Sequence, residues 1–226
     1  LAHFLPEWLA QQGWQERVQP YLRATGWVAS DYFQALARAE CDLAICYWPV
    51  GRCDLDIDTS SSTYRVIGQE RLIPVTGLTS DGSPCTQLPG TRQQPVPWLA
   101  YPKRGLLGSA VKAHLARLPH TTYLTAQSEN LYAAGIKELV LLGYGMSWLP
   151  ERNVASELAS GQLVRAGDSR WDVPMELRLY RHHQHHHADR RGYGSGRRGR
   201  AGTSASAGQR EQRRRSGEHR PCRHAD

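Results

Sequence analysis

Apolar residues fall at near-helical spacing at the start of the chain, at Phe4, Leu5, Trp8 and Leu9, with Gly13 as a stop, and predict a helix over 1–11. A strand is expected over 18–25. Ser30 is placed to cap a second helix running to about Glu40, with Phe33, Leu36 and Ala37 on one face. Residues 41–48, Cys-Asp-Leu-Ala-Ile-Cys-Tyr-Trp, form a nearly continuous apolar run, the pattern of a strand covered on both faces in a parallel sheet. Residues 49–63 read as a loop. Residues 66–75 read as a strand whose Pro74 points to an edge or a bend, and 77–95 as turns built on Asp81-Gly82 and Pro89-Gly90.

The pattern then restarts. A strand is expected over 96–101. A helix over 105–118 carries Leu107, Val111, Leu115 and Leu118 inward. A strand over 121–125 precedes a helix over 130–142, weakened by Gly135. A strand over 146–149, closed by Pro150, leads to a helix over 153–159 that stops at Gly161. Strands over 162–165 and 175–180 complete the series. Alternating strands and helices predict an α/β fold with mostly parallel sheets, and two such runs separated by 77–95 predict two lobes.

Charge divides the chain differently. The net charge is +7, but residues 1–181 hold 17 basic and 17 acidic side chains, and the whole excess lies in 182–226. A neutral body lacks the electrostatic footprint of a DNA-binding domain. The tail has no Leu, Ile, Val, Phe, Met or Trp and is expected to be disordered. Four readings of it stand side by side. It is a phosphate-gripping arm using Arg197, Arg198, Arg200 and Arg213 to Arg215, a metal-binding cluster at 182–187, an incidental solvated tail, or the product of a shifted reading frame in a GC-rich gene.

Candidate chemistry is sparse. No apolar run reaches the roughly 18 residues of a membrane helix. No basic segment followed by an apolar one marks a secretory signal. The five cysteines are an odd number at irregular spacing, which points away from a disulfide framework and towards a reducing compartment. Cys41, Cys46 and Cys53 match no zinc spacing, and no nucleophile elbow, phosphate loop or dinucleotide fingerprint is present. Neither catalytic nor metal-binding residues nor a cofactor are expected. Two segments stand at strand-to-helix junctions, where helix N-termini offer N–H groups. Residues 101–105, Tyr-Pro-Lys-Arg-Gly, hold Lys103 and Arg104, which either bind an anion or are merely solvated. Residues 127–130, Gln-Ser-Glu-Asn, supply helix caps or ligand contacts.

Residues 139–150, Leu-Val-Leu-Leu-Gly-Tyr-Gly-Met-Ser-Trp-Leu-Pro, resemble the hallmark segment of LysR-type transcriptional regulators, loosely Val-Ala-x-Gly-x-Gly-Ile-Ala-x-Leu-Pro. Residues 36–45, Leu-Ala-Arg-Ala-Glu-Cys-Asp-Leu-Ala-Ile, resemble that family's Leu-x-x-Gly-x-Leu-Asp-Leu-Ala-Ile segment. Residues 158–164, Leu-Ala-Ser-Gly-Gln-Leu-Val, resemble its Leu-x-x-Gly-x-Leu-Val segment. The pieces occur in the family's order, and the resemblance covers about 1–181. The Trp148-Leu-Pro150 variant is similar to a branch that includes oxidant-responsive regulators.

The resemblance implies a two-lobed, periplasmic-binding-protein-like (type 2) effector-binding domain with a central cleft. Lobe one would be 1–67 with 168–181, and lobe two 68–167. By position, the cleft would be lined by Cys46, Tyr47, Tyr101, Lys103, Arg104, Gly105, Ser128, Asn130, Gly145 and Met146. The implied partner is a small-molecule effector, anionic if Lys103 and Arg104 serve it. The implied assembly is a homo-oligomer, and the implied location is the cytoplasm. The family's winged helix-turn-helix, first lobe-one strand and last helix have no counterpart here. The expectation is therefore a truncated module, incomplete at both ends, that cannot bind DNA specifically by itself. Two other readings remain open: a solute-binding protein of the same fold, and a decayed gene product. An enzyme on this fold is a remote option.

Overall fold

A computed structural model describes residues 4–14, 16, 18, 28–51 and 55–183. The strand expected over 18–25 lies outside these residues except for Val18, and the tail beyond residue 183 lies outside them altogether. The spine of the fold is a pair of long antiparallel strands, β2 (Ser62–Thr76) and β7 (Val173–His182). β1 (Ala44–Pro49) pairs antiparallel along the other side of β7, with Ala44 opposite Tyr180. β5 (Ser147–Pro150) and β6 (Val164–Arg165) add to the far end of β2, also antiparallel. A parallel pair, β3 (Val96–Ala100) and β4 (Leu124–Glu129), forms the second sheet and touches the first through a bridge between Trp98 and Met146.

The expectation of mostly parallel sheets is therefore corrected. An apolar run such as 41–48 reports that both faces of a strand are covered, but carries no sign of its neighbour's direction. Parallel pairing occurs where a helix connects consecutive strands, as α3 (Leu106–Leu115) connects β3 to β4. Elsewhere the two long strands dictate the direction. Pro74 falls where β2 changes partners on one side, from β7, which ends opposite Leu72, to β6, which begins opposite Val75. Its missing N–H is thus not needed, and its carbonyl accepts the Ala166 N–H at 2.9 Å.

The remaining helices are α1 (Phe4–Gln11), α2 (Ala29–Ala37), α4 (Ala133–Leu141) and α5 (Glu151–Ala159), with a 3-10 turn at Ser169–Trp171. α2 begins one residue before Ser30, which does not cap it; the Asp31 carboxylate accepts the Val28 N–H at 2.8 Å instead. Leu72, Val111, Met146, Trp148 and Met175 fill one core, with Ile73, Leu99, Ile136, Leu149 and Leu163 beside it. A third cluster packs Phe33 and Leu36 of α2 on Cys46, Trp48 and Tyr180.

Two further expectations are corrected. His182 lies in β7 opposite Ser62 and is buried, and His183 bonds the carbonyls of Ser61 and Ser60, so the folded body runs past residue 181. Backbone pairing with β2 supplies what the apolar-poor sequence does not. Cys85 is disulfide-bonded, whereas Cys41 carries a free thiol. An odd count leaves room for a pair, so it did not exclude one.

Candidate functional site

Each parallel strand ends in a turn into a helix. The turn after β3 is tight: the Gly105 N–H donates to the Pro102 carbonyl at 2.9 Å, and a Cβ at Gly108 would lie 2.3 Å from that same oxygen. Only glycine lets α3 start this close to the preceding strand. The first turn of α3 packs against β1, and the start of α2 closes in from the side. Between these elements lies a cavity of about 150 Å³, also lined by Leu131 and Tyr132 ahead of α4.

The cavity gathers four of the ten residues expected at the cleft: Cys46, Tyr47, Tyr101 and Gly105. Tyr101 is 4% exposed, and its hydroxyl is buried with no hydrogen-bond partner among the described residues. Burial pushes its phenol far above the ordinary range, with Tyr47 adding to the shift. Burial likewise raises Tyr47, and Tyr32 on the facing helix. All three phenols therefore stay protonated. No charged side chain is among the described lining residues.

The other six expected residues do not line it. Lys103 and Arg104 are exposed at the outside of the turn. Ser128 is exposed on β4, because that strand continues to Glu129 where a loop was expected. Its exposed polar face gives no apolar alternation to betray it. Asn130 folds over the start of α4: its side-chain oxygen accepts the Tyr132 N–H at 2.9 Å, and its amide nitrogen lies where a Cβ at Gly135 would reach within 2.8 Å. Gly135, which weakens the helix, thus makes room for the Asn130 amide. Met146 is fully buried in the core, and Gly145 presses on Pro97.

Sequence reasoning missed Val28, Tyr32 and Tyr132 as lining residues. Tyr32 sits one residue off the inward face of α2, and Tyr132 is 47% exposed, so no apolar stripe marks either. A second hollow of about 390 Å³ lies at the other end of α3, between Leu115 and Leu124; it is shallow and contains none of the ten residues.

A profile of the LysR substrate binding domain matches residues 2–190. A stretch of 88 residues, 38% of this chain, is 30% identical to 35% of the HTH domain-truncated transcriptional regulator QseD of Escherichia coli O157:H7. A stretch of 116 residues, half of this chain, is 27% identical to 36% of the HTH-type transcriptional regulator YjiE of Escherichia coli K12. The chain thus matches about a third of the length of these curated relatives. Among solved structures, the apo regulatory domain of HypT from Salmonella typhimurium superposes with a TM-score of 0.63 at 19% identity, over 80% of each chain. DarR of Vibrio fischeri, solved in complex with DNA, gives a TM-score of 0.63 at 23% identity over 83% of this chain and 60% of that one. No helix among the described residues is long and apolar enough to cross a membrane. The profile match spans most of the chain: it belongs to the LysR substrate-binding domain family.

Proposed function

We propose that this chain senses a small molecule on behalf of a LysR-type transcriptional regulator, and that the effector enters the cavity between α2, β1 and the start of α3. The observation that carries this reading is the cavity itself, which opens where the turn after β3, a parallel strand, meets β1 and the start of α2, with Tyr101 in its lining. The domain performs no chemistry and works in the cytoplasm. It acts as a homo-oligomer whose shape follows the closure of the lobes, 1–67 with 168–181 against 68–167. DNA is read by a helix-turn-helix, not by this domain. The test is a thermal-shift screen of small metabolites on the 226-residue chain. A bound effector raises Tm, and Tyr101→Phe reduces the rise. If no compound raises Tm, the reading fails.

A second reading draws on the Cys85 disulfide, since disulfides persist mainly in oxidising compartments. It makes the protein a secreted solute-binding protein of the same fold. Detection of the full-length product outside the cytoplasm supports it. A helix-turn-helix encoded in frame ahead of Leu1 excludes it.

A further inference from the structure

β2 and β7 carry the chain from one lobe to the other and back, and a side-chain contact spans the lobes beside them. We propose that Arg152 is a latch: anchored on lobe two, it lays its guanidinium on the Phe4 ring of lobe one and holds the resting orientation of the lobes. The inference rests on the two-lobed effector-binding reading above and names what sets that orientation.

The anchorage lies on one side. The Arg152 Nε donates to the Glu70 Oε2 at 2.6 Å, and its Nη2 donates to the Gln69 carbonyl at 3.0 Å. All three residues fall in 68–167. The Glu70 side chain is 3% exposed, so little water competes for its carboxylate. The reach to the other lobe is by stacking: the guanidinium carbon lies 5.0 Å from the centroid of the Phe4 ring, at the start of α1. A guanidinium held along its edge by two acceptors keeps its flat face for a ring. Trp8, one turn on, stacks on Phe4 at 6.5 Å between centroids. The contact also sits over a place where β2 bends. The register of β2 against β7 shifts between Val66 and Gly68, and a Cβ at Gly68 would come within 3.2 Å of the Phe4 ring. Lobe orientation bears on the cavity, because its lining draws on both lobes, Cys46 and Tyr47 from one and Tyr101 and Gly105 from the other. Burial raises the Tyr47 phenol most, Glu70 raises it further and Arg152 lowers it, so the anchored pair stands near the cavity's own lining.

Residual dipolar couplings of the backbone amides, measured on the ligand-free 226-residue chain, read the relative orientation of the lobes and need no effector. In the wild type both lobes are expected to fit one alignment tensor. Phe4→Ala removes the far side of the latch. Arg152→Ala with Glu70→Gln removes the near side and leaves no buried carboxylate unpaired. Each variant is expected to split the tensors while each lobe still fits by itself. Loss of a part-exposed cation–π contact changes the ratio of orientations about two- to fivefold. Glu151→Gln, which breaks the pair with Arg71 inside lobe two, is the control and should keep the shared tensor. A shared tensor in the latch variants overturns the inference. So does an equal split in Glu151→Gln, or two tensors already in the wild type. Either latch variant decides the matter alone if the other fails to fold. The effector reading is judged by the Tm screen, so the latch can fail while that reading stands.

Discussion

Gly145 and Pro97 are in backbone contact: a Cβ on Gly145 would lie 2.6 Å from the Pro97 carbonyl oxygen, and Gly145 has φ +150°. The contact seats β5 beside β3, where the Met146 N–H donates to that same carbonyl and the Leu99 N–H donates back to the Met146 carbonyl, each at 2.9 Å. The glycine of the hallmark segment is therefore a packing residue. Gly145→Ala is expected to cost about 2–4 kcal/mol, from backbone strain together with the collision. Urea unfolding of the variant checks this; a loss below about 0.5 kcal/mol, the scale of an ordinary surface change, contradicts it.

Trp148 anchors the same strand from the other direction. Its indole N–H donates to the Trp171 carbonyl at 2.8 Å, and its ring meets Trp98 edge-on at 6.1 Å between centroids. The side chain is fully buried. Trp148→Phe leaves a void and an unsatisfied carbonyl, and should lower stability by about 2–4 kcal/mol in chemical unfolding.

Glu70 is buried and paired with Arg152 at 2.6 Å, while Arg152 is about a third exposed. Removing the cation leaves a buried carboxylate without its partner. Arg152→Ala should therefore destabilise by about 3 kcal/mol, and Arg152→Ala combined with Glu70→Gln by less than Arg152→Ala alone. A double mutant no more stable than that single mutant contradicts this.

Glu157 accepts a hydrogen bond from the Lys137 ammonium at 2.6 Å, which holds its carboxyl below the usual carboxylate range. A carboxylate whose folded pKa is depressed contributes stability that is present above its unfolded value, near 4.3, and lost as pH falls through the folded value. The stability gap between the wild type and Glu157→Gln should be about 1–2 kcal/mol at neutral pH and close as pH drops below about 4. A gap unchanged across that window contradicts the assignment.

The helices were legible in the sequence to within a few residues, because α2, α3 and α4 each bury a stripe of apolar side chains. Strand direction was not, since coverage of both faces looks the same in parallel and antiparallel sheets. The part of β4 beyond residue 125 escaped because its residues there face solvent. Tyr101 could be placed beside the cavity from sequence because it ends a strand before a helix. Position alone did not separate Lys103 and Arg104 from Tyr101: the turn that buries Tyr101 leaves the next two charged residues exposed. Tyr32 and Tyr132 reach the cavity only through the meeting of two helices distant in sequence, which no local pattern records.

The central claim is that a small molecule occupies the cavity at Tyr101. It is tested most directly by mapping backbone amide shifts of the 226-residue chain in an NMR titration with the compound that raises Tm most. The account predicts that the perturbed amides cluster at Cys46, Tyr47, Tyr101, Gly105 to Gly108 and Tyr132. Perturbations gathered instead at the hollow between Leu115 and Leu124 would contradict it.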